Sequence, residues 1–122
     1  MADGWIAVPS LSLEQARVQA DLYRERCAAY GRRSTAIALR RDIYVGESSA
    51  EAKAVLEHAM AKGYRGIPPE ALIAGSIDEV AERFRALGAL GYTDIIVRHL
   101  TNDQPKVLGS LARLAKVRAA LA

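Results

Sequence analysis

The sequence predicts an α/β fold in the form of a partial (β/α)8 TIM barrel: about three parallel strands with four main helices, in a single domain over residues 1–122. Three observations lead there. An apolar, β-branched stretch is joined to a helical stretch three times, and the third repeat reads Gly75-Ser76-Ile77-Asp78-Glu79-Val80-Ala81-Glu82-Arg83-Phe84, then Gly91-Tyr92-Thr93-Asp94-Ile95-Ile96-Val97-Arg98. Strand, helix and strand in that order imply right-handed crossovers and a parallel sheet. A closed eight-stranded parallel barrel needs roughly 250 residues, and the chain has 122, so these repeats are too few to close one.

The first strand is Asp3-Gly4-Trp5-Ile6-Ala7-Val8, an aromatic and β-branched run ended by Pro9. Ser12 with Gln15 three residues on forms a capping box, in which each side chain satisfies a backbone N–H that the first helical turn leaves unpaired, and Leu11 staples against Ala16. Ala16, Ala20, Tyr23, Cys27 and Tyr30 recur at steps of four and three and define the packing face of this first helix, which Gly31 ends.

The second strand runs from Thr35 to Val45, apolar at both ends with Arg40, Arg41 and Asp42 in the middle. A parallel strand covered on both faces reads as nearly continuous apolar residues. The three charges therefore mark either where the strand leaves the core or a polar site. By alternation, Arg41 points to the helix layer and is structural. Ser48 and Glu51 form a second capping box, and Ala52, Val55, Leu56, Ala59 and Met60 make the buried face of a helix closed by Gly63. From Tyr64 to Gly75 the glycine and prolines predict a loop with a turn of helix from Pro69 to Leu72.

Ser76 with Glu79 caps the third helix, whose Ile77, Val80, Phe84 and Leu87 face the core, and Gly91 releases the chain into a strand from Thr93 to Arg98. Pro105 fits the first turn of a final helix in which Leu108, Leu111, Ala115 and Leu121 pack.

Composition narrows the function classes. With 51% hydrophobic and 25% charged residues the chain is an ordinary globular domain. The single Cys27 excludes an internal disulfide and fits a reducing compartment. No apolar run approaches the roughly 18 residues of a membrane span, and no secretory leader opens the sequence, so the expected location is cytoplasmic, without membrane partners. The net charge of +3 is modest and Arg alternates with Glu, which is no nucleic-acid footprint. His58 stands mid-helix without a spaced partner, so no metal site is expected. Ser48 and Ser76 read as helix caps, because neither lies in a Gly-x-Ser-x-Gly elbow. Neither a Gly-x-Gly-x-x-Gly nor a Walker A sequence is present, so a self-contained nucleotide phosphate site is unsupported.

Over almost its whole length the chain resembles the C-terminal part of the luciferase-like flavin-dependent monooxygenases, the group of bacterial luciferase, alkanesulfonate monooxygenases and deazaflavin-dependent reductases. The landmarks are Ala2-Asp3-Gly4-Trp5-Ile6, Gly31-Arg32, Tyr44-Val45-Gly46-Glu47-Ser48 followed by Ala50-Glu51-Ala52, Gly75-Ser76-Ile77-Asp78-Glu79-Val80, and Leu87-Gly88-Ala89-Leu90-Gly91-Tyr92-Thr93-Asp94-Ile95-Ile96. Their order and spacing carry the likeness. The resemblance implies strands six, seven and eight of a barrel whose first five strands lie elsewhere. It also implies reduced FMN, or alternatively a deazaflavin, acting with dioxygen on a small organic substrate. Much of the flavin cradle belongs to the missing strands, so the isolated chain offers reduced FMN only part of its cradle, and a complementary N-terminal chain or a second copy is expected to complete it.

The resemblance places Trp5 near the end of strand six, toward substrate or flavin; a space-filling aromatic is the plainer reading. Arg40 falls at a basic active-site position on strand seven, and Asp42 stands where the alkanesulfonate branch has His. That departure weakens the carry-over of an acid–base role, and an Arg40–Asp42 ion pair is the alternative. Arg98 and His99 close strand eight, where active sites of such barrels gather. Arg98 suits an anionic group, and His99 suits proton transfer near neutral pH or a structural hydrogen bond. The candidate catalytic residues are thus His99, Arg40 and Asp42, and the candidate binding residues Trp5, Arg40 and Arg98. Two non-enzymatic readings stand beside the oxidoreductase: a truncated remnant that self-associates through its open sheet edges, and a module that binds a small anion.

Overall fold

A computed structural model describes residues 4–7, 10–31, 36–61 and 63–121. Ala2, Asp3, Val8, Pro9, Arg32 and Thr35, which enter the sequence reading, lie outside the described residues. The elements in chain order are β1 (Gly4–Ala7), α1 (Leu13–Ala29), β2 (Ala36–Val45), α2 (Ser49–Ala61), a 3-10 turn (Pro69–Ala71), β3 (Ile73–Gly75), α3 (Ile77–Ala89), β4 (Asp94–His99) and α4 (Gln104–Leu121). Both predicted capping boxes at Ser12/Gln15 and Ser76/Glu79 are formed. Ser48 Oγ accepts the N–H of Glu51, but the Glu51 carboxylate turns back to the N–H of Glu47 and to the Tyr44 hydroxyl.

Every strand pairing is parallel, and β2 is the spine. Residues 4–7 of β1 pair with 36–39 along one edge, and 94–99 of β4 pair with 38–43 along the other. The three expected strands therefore lie side by side in the order β1-β2-β4. The short β3 pairs with 43–45. Because Ile43 is in register with both Ile73 and His99, β3 must take the edge that β1 uses nearer the start of the strand. It occupies the end of the segment read from sequence as loop: three residues after a Pro-Pro pair carry too little pattern to announce a strand.

Alternation along β2 separates two cores. Ile37, Leu39, Ile43 and Val45 pack against Ala16 and Ala20 of α1, Val80, Phe84 and Leu87 of α3, and Val117 of α4. Each of the larger apolar side chains, fully buried, contributes about 1.5–3 kcal/mol. On the other face Tyr44 joins Ala52 and Val55 of α2, Ile67, Ala71, Leu72 and Leu100. So α2 is an excursion onto the face opposite the other three helices, and α3 completes the crossover from β2 to β4. Gly46 permits this departure, since a Cβ there would lie 2.8 Å from the Ala52 side chain.

Two helix faces differ from expectation. Tyr30, at the C-cap of α1, is 73% exposed, so its buried stripe stops at Cys27. In α4 the predicted Leu108, Leu111, Ala115 and Leu121 are exposed, and the buried residues are Ser110 and Val117. The rotation follows from backbone polarity at the end of β2. Ser110 Oγ accepts the N–H of Val45 at 2.8 Å, and Arg113 Nε donates to the Val45 carbonyl at 2.7 Å. Turned this way, α4 supplies partners to two buried backbone groups of β2 while Leu108, Leu111 and Leu121 stay exposed.

Candidate functional site

The face of β2 away from α1, α3 and α4 presents Ala38, Arg40, Asp42 and Tyr44, and β4 adds Ile96 and Arg98 in register with Arg40 and Asp42. Asp42 is wholly buried. Its Oδ2 accepts from the Tyr64 hydroxyl at 2.5 Å, while Oδ1 is buried with no hydrogen-bond partner, as is Arg40 Nε. Among the described residues no ion pair joins Arg40 to Asp42 within 4.0 Å, so the phenol and not the guanidinium is the carboxylate's partner. Burial, reinforced by the hydrogen bond to Asp42, pushes the Tyr64 hydroxyl up to about 12. Tyr64 therefore stays protonated and donates. Arg41 lies on the opposite, helix-covered face, 2% exposed, where burial and the nearby Arg83 bring its pKa down to about 10.

His99 stands in register with Ile43, and its Nε2 lies 2.8 Å from Ser110 Oγ. That hydroxyl already accepts the Val45 N–H and keeps both its proton and a second lone pair for Nε2, so it serves either tautomer of the ring. Burial lowers the His99 pKa below 6.5, and the neutral ring matches this arrangement. The structure thus gathers Arg40, Asp42 and Arg98 on one face and ties His99 to α4. Trp5 lies in β1 in register with Ile37; its side chain lies outside the described residues.

At the end of β4 a cleft of about 870 Å³ opens between α2 and the segment leading into α4, walled by Val55, His58, Tyr64, Arg65, Arg98, His99 and Lys106 among others. Arg98 and His99 were legible as strand-end residues, whereas Tyr64, Arg65 and Lys106 were not. Arg65 has φ 51° between Gly63 and Gly66, both also at positive φ. The Gly-x-x-Gly spacing was the only available signal. Among the described residues no three His, Cys, Asp or Glu side chains are grouped to hold a metal ion, and no helix is long and apolar enough to cross a membrane.

Fold and site together define a partial parallel β/α barrel with its polar groups toward the C-terminal ends of the strands. No protein-family profile and no curated protein sequence matches the chain. Solved structures do. A monooxygenase from Streptomyces bottropensis matches with a TM-score of 0.71 and 20% identity over 93% of this chain. The oxygenating constituent of 3,6-diketocamphane monooxygenase from Pseudomonas putida, a type II Baeyer–Villiger monooxygenase in complex with FMN, gives 0.66 and 19% over 91%. The coenzyme F420 dependent tetrahydromethanopterin reductase from Methanopyrus kandleri gives 0.58 and 16% over 81%. The chain spans 40% of the length of each of these proteins. It has the fold of the luciferase-like flavin monooxygenases over that part of their length.

Proposed function

We propose that the chain forms the wall of strands six to eight in a luciferase-like flavin-dependent oxidoreductase, a cytoplasmic monooxygenase of a small organic substrate, and that a partner polypeptide or second copy supplies the remaining strands. One observation carries this reading: on the face that a closed barrel turns inward, a buried acceptor, Asp42 Oδ1, and a buried donor, Arg40 Nε, have no partners. Buried polar atoms are ordinarily satisfied. A donor and an acceptor in reserve fit a planar ring that offers both, as reduced FMN or a deazaflavin does. Arg40 and Arg98 would hold it, with Trp5 beside them by family resemblance. When bound, the flavin supplies the redox chemistry with dioxygen, while the chain supplies position, charge and exclusion of water. His99, neutral near pH 7, exchanges a proton at the cleft, and Asp42 fixes the inner face through Tyr64.

The test is reconstitution. The chain is mixed with a polypeptide carrying five upstream βα units and titrated anaerobically with reduced FMN and a reduced deazaflavin, and dioxygen is then admitted. Saturable binding and oxidation, weakened by Arg98→Ala, are expected; a reconstituted pair that binds neither flavin removes the proposal. A second reading, a non-catalytic remnant that self-associates, is favoured by the edges of the sheet. Among the described residues β1 and β4 each pair with β2 alone, and Ile96 of β4 is 42% exposed. Sedimentation of the chain alone separates the two: a monomer removes the remnant reading.

A further inference from the structure

The cleft between α2 and the end of β4 has an uneven charge balance. Arg65, Arg98 and Lys106 stand in its wall, and among the described residues none of the three has an ion-pair partner within 4.0 Å. The two carboxylates in the same wall are committed elsewhere. Glu51 accepts from the Tyr44 hydroxyl and the Glu47 N–H, and Asp103 accepts the Lys106 N–H at the start of α4. Three permanent cations thus face a volume of about 870 Å³ against two carboxylates, an excess of one positive charge, and neither carboxylate is paired with any of the three.

A second observation is independent of charge. Arg65 is the one non-glycine at positive φ among the described residues. An L side chain in that region carries backbone strain, and a third glycine in the Gly63–Gly66 turn would avoid it. The turn is anchored from below, since Tyr64 donates to the buried Asp42. The strain therefore puts a guanidinium, and not a bare turn, at the rim of the cleft. The opposite part of the wall is apolar: Val55 and Ala59 of α2 and Leu100.

We propose that this cleft binds a phosphomonoester, its phosphate on Arg65, Arg98 and Lys106 and its organic part against Val55, Ala59 and Leu100. Guanidinium forks match phosphate oxygens in pairs, and an ammonium adds a point charge. The site depends on the cleft alone and stands whether or not the flavin reading does. The phosphate can belong to a cofactor or to a substrate.

Titration calorimetry of the 122-residue chain with phenyl phosphate, FMN and riboflavin tests it. Saturable binding of phenyl phosphate as tight as that of FMN assigns the site to a substrate's phosphate. Tighter binding of FMN, with none of riboflavin, assigns it to a cofactor's. Arg65→Gly is the decisive variant, because glycine tolerates the backbone: its thermal midpoint is expected to stay level or rise while affinity falls roughly tenfold or more, as for loss of a charged hydrogen bond. Lys106→Ala is expected to weaken binding comparably. Lys116→Ala, which removes an exposed cation of α4 outside the cleft, is expected to leave it unchanged. The proposal is overturned if neither phosphate ester saturates, if Arg65→Gly binds like the parent chain, or if Lys116→Ala weakens binding as much as Lys106→Ala.

Discussion

Along β2, alternate residues meet different solvents. Ile37, Leu39, Ile43 and Val45, none more than 2% exposed, lie in an apolar core with three helices, whereas Arg40 and Asp42 on the reverse face bury polar atoms without a hydrogen-bond partner among the described residues. The first face is a largely apolar set of packed surfaces that also encloses one cation, Arg41, 2% exposed. The second holds polar groups in excess of their partners. A strand that spends stability on one side while accumulating it on the other has the distribution expected of an enzyme wall, where unsatisfied groups serve a ligand.

Substitutions along the two faces sharpen this contrast. The largest effect is expected from Leu39→Ala on the helix-covered face, a loss of about 2–5 kcal/mol in urea denaturation; a loss under about 1 kcal/mol would mean that the core is not where the packing places it. Next is Tyr64→Phe, which strips Asp42 of its hydrogen bond and is expected to cost about 1–3 kcal/mol. An unchanged midpoint would show the reverse face to be wetter than its burial implies. Ser110→Ala, which orphans the Val45 N–H, is expected to cost about 1 kcal/mol or somewhat more by the same measure.

A smaller effect is expected with pH. Burial lowers the His99 pKa below 6.5 in the folded chain, so the unfolded chain takes up the proton more readily. The contribution of His99 is then complete above the unfolded value and lost as pH falls through it toward the folded value. Urea midpoints at about pH 7.5 and about pH 5.5 should therefore converge in His99→Gln relative to the parent. Smallest of all is Arg17→Ala: its pairs with Glu14 and Asp21 are exposed on α1, and the unfolding midpoint should not move measurably.

Much of this architecture was legible because it is written locally. Ser12/Gln15 and Ser76/Glu79 cap as their spacing requires, and Gly31, Gly63 and Gly91 all adopt positive φ at helix ends. What escaped was set by distant groups. The buried side of α4 follows Ser110 and Arg113 because they satisfy the backbone of Val45, 65 and 68 positions away, and no periodicity in 104–121 reports that. Nor does the pattern of α2, whose apolar stripe is the same whichever face of the sheet it covers. For the site, the family resemblance singled out Arg40 and Asp42 and the strand end Arg98 and His99, but Tyr64, Arg65 and Lys106 reach the same neighbourhood from a turn and a helix start. Only the fold brings those segments together.

The position of β2 between β1 and β4 has a consequence for biosynthesis. Its second edge stays open until β4 has been made, about fifty residues later, which at ordinary ribosomal speed is roughly 3–10 s. For that interval the nascent chain offers a ten-residue, largely apolar ribbon with one side bare, so a chaperone that shields such ribbons should raise the yield of folded protein.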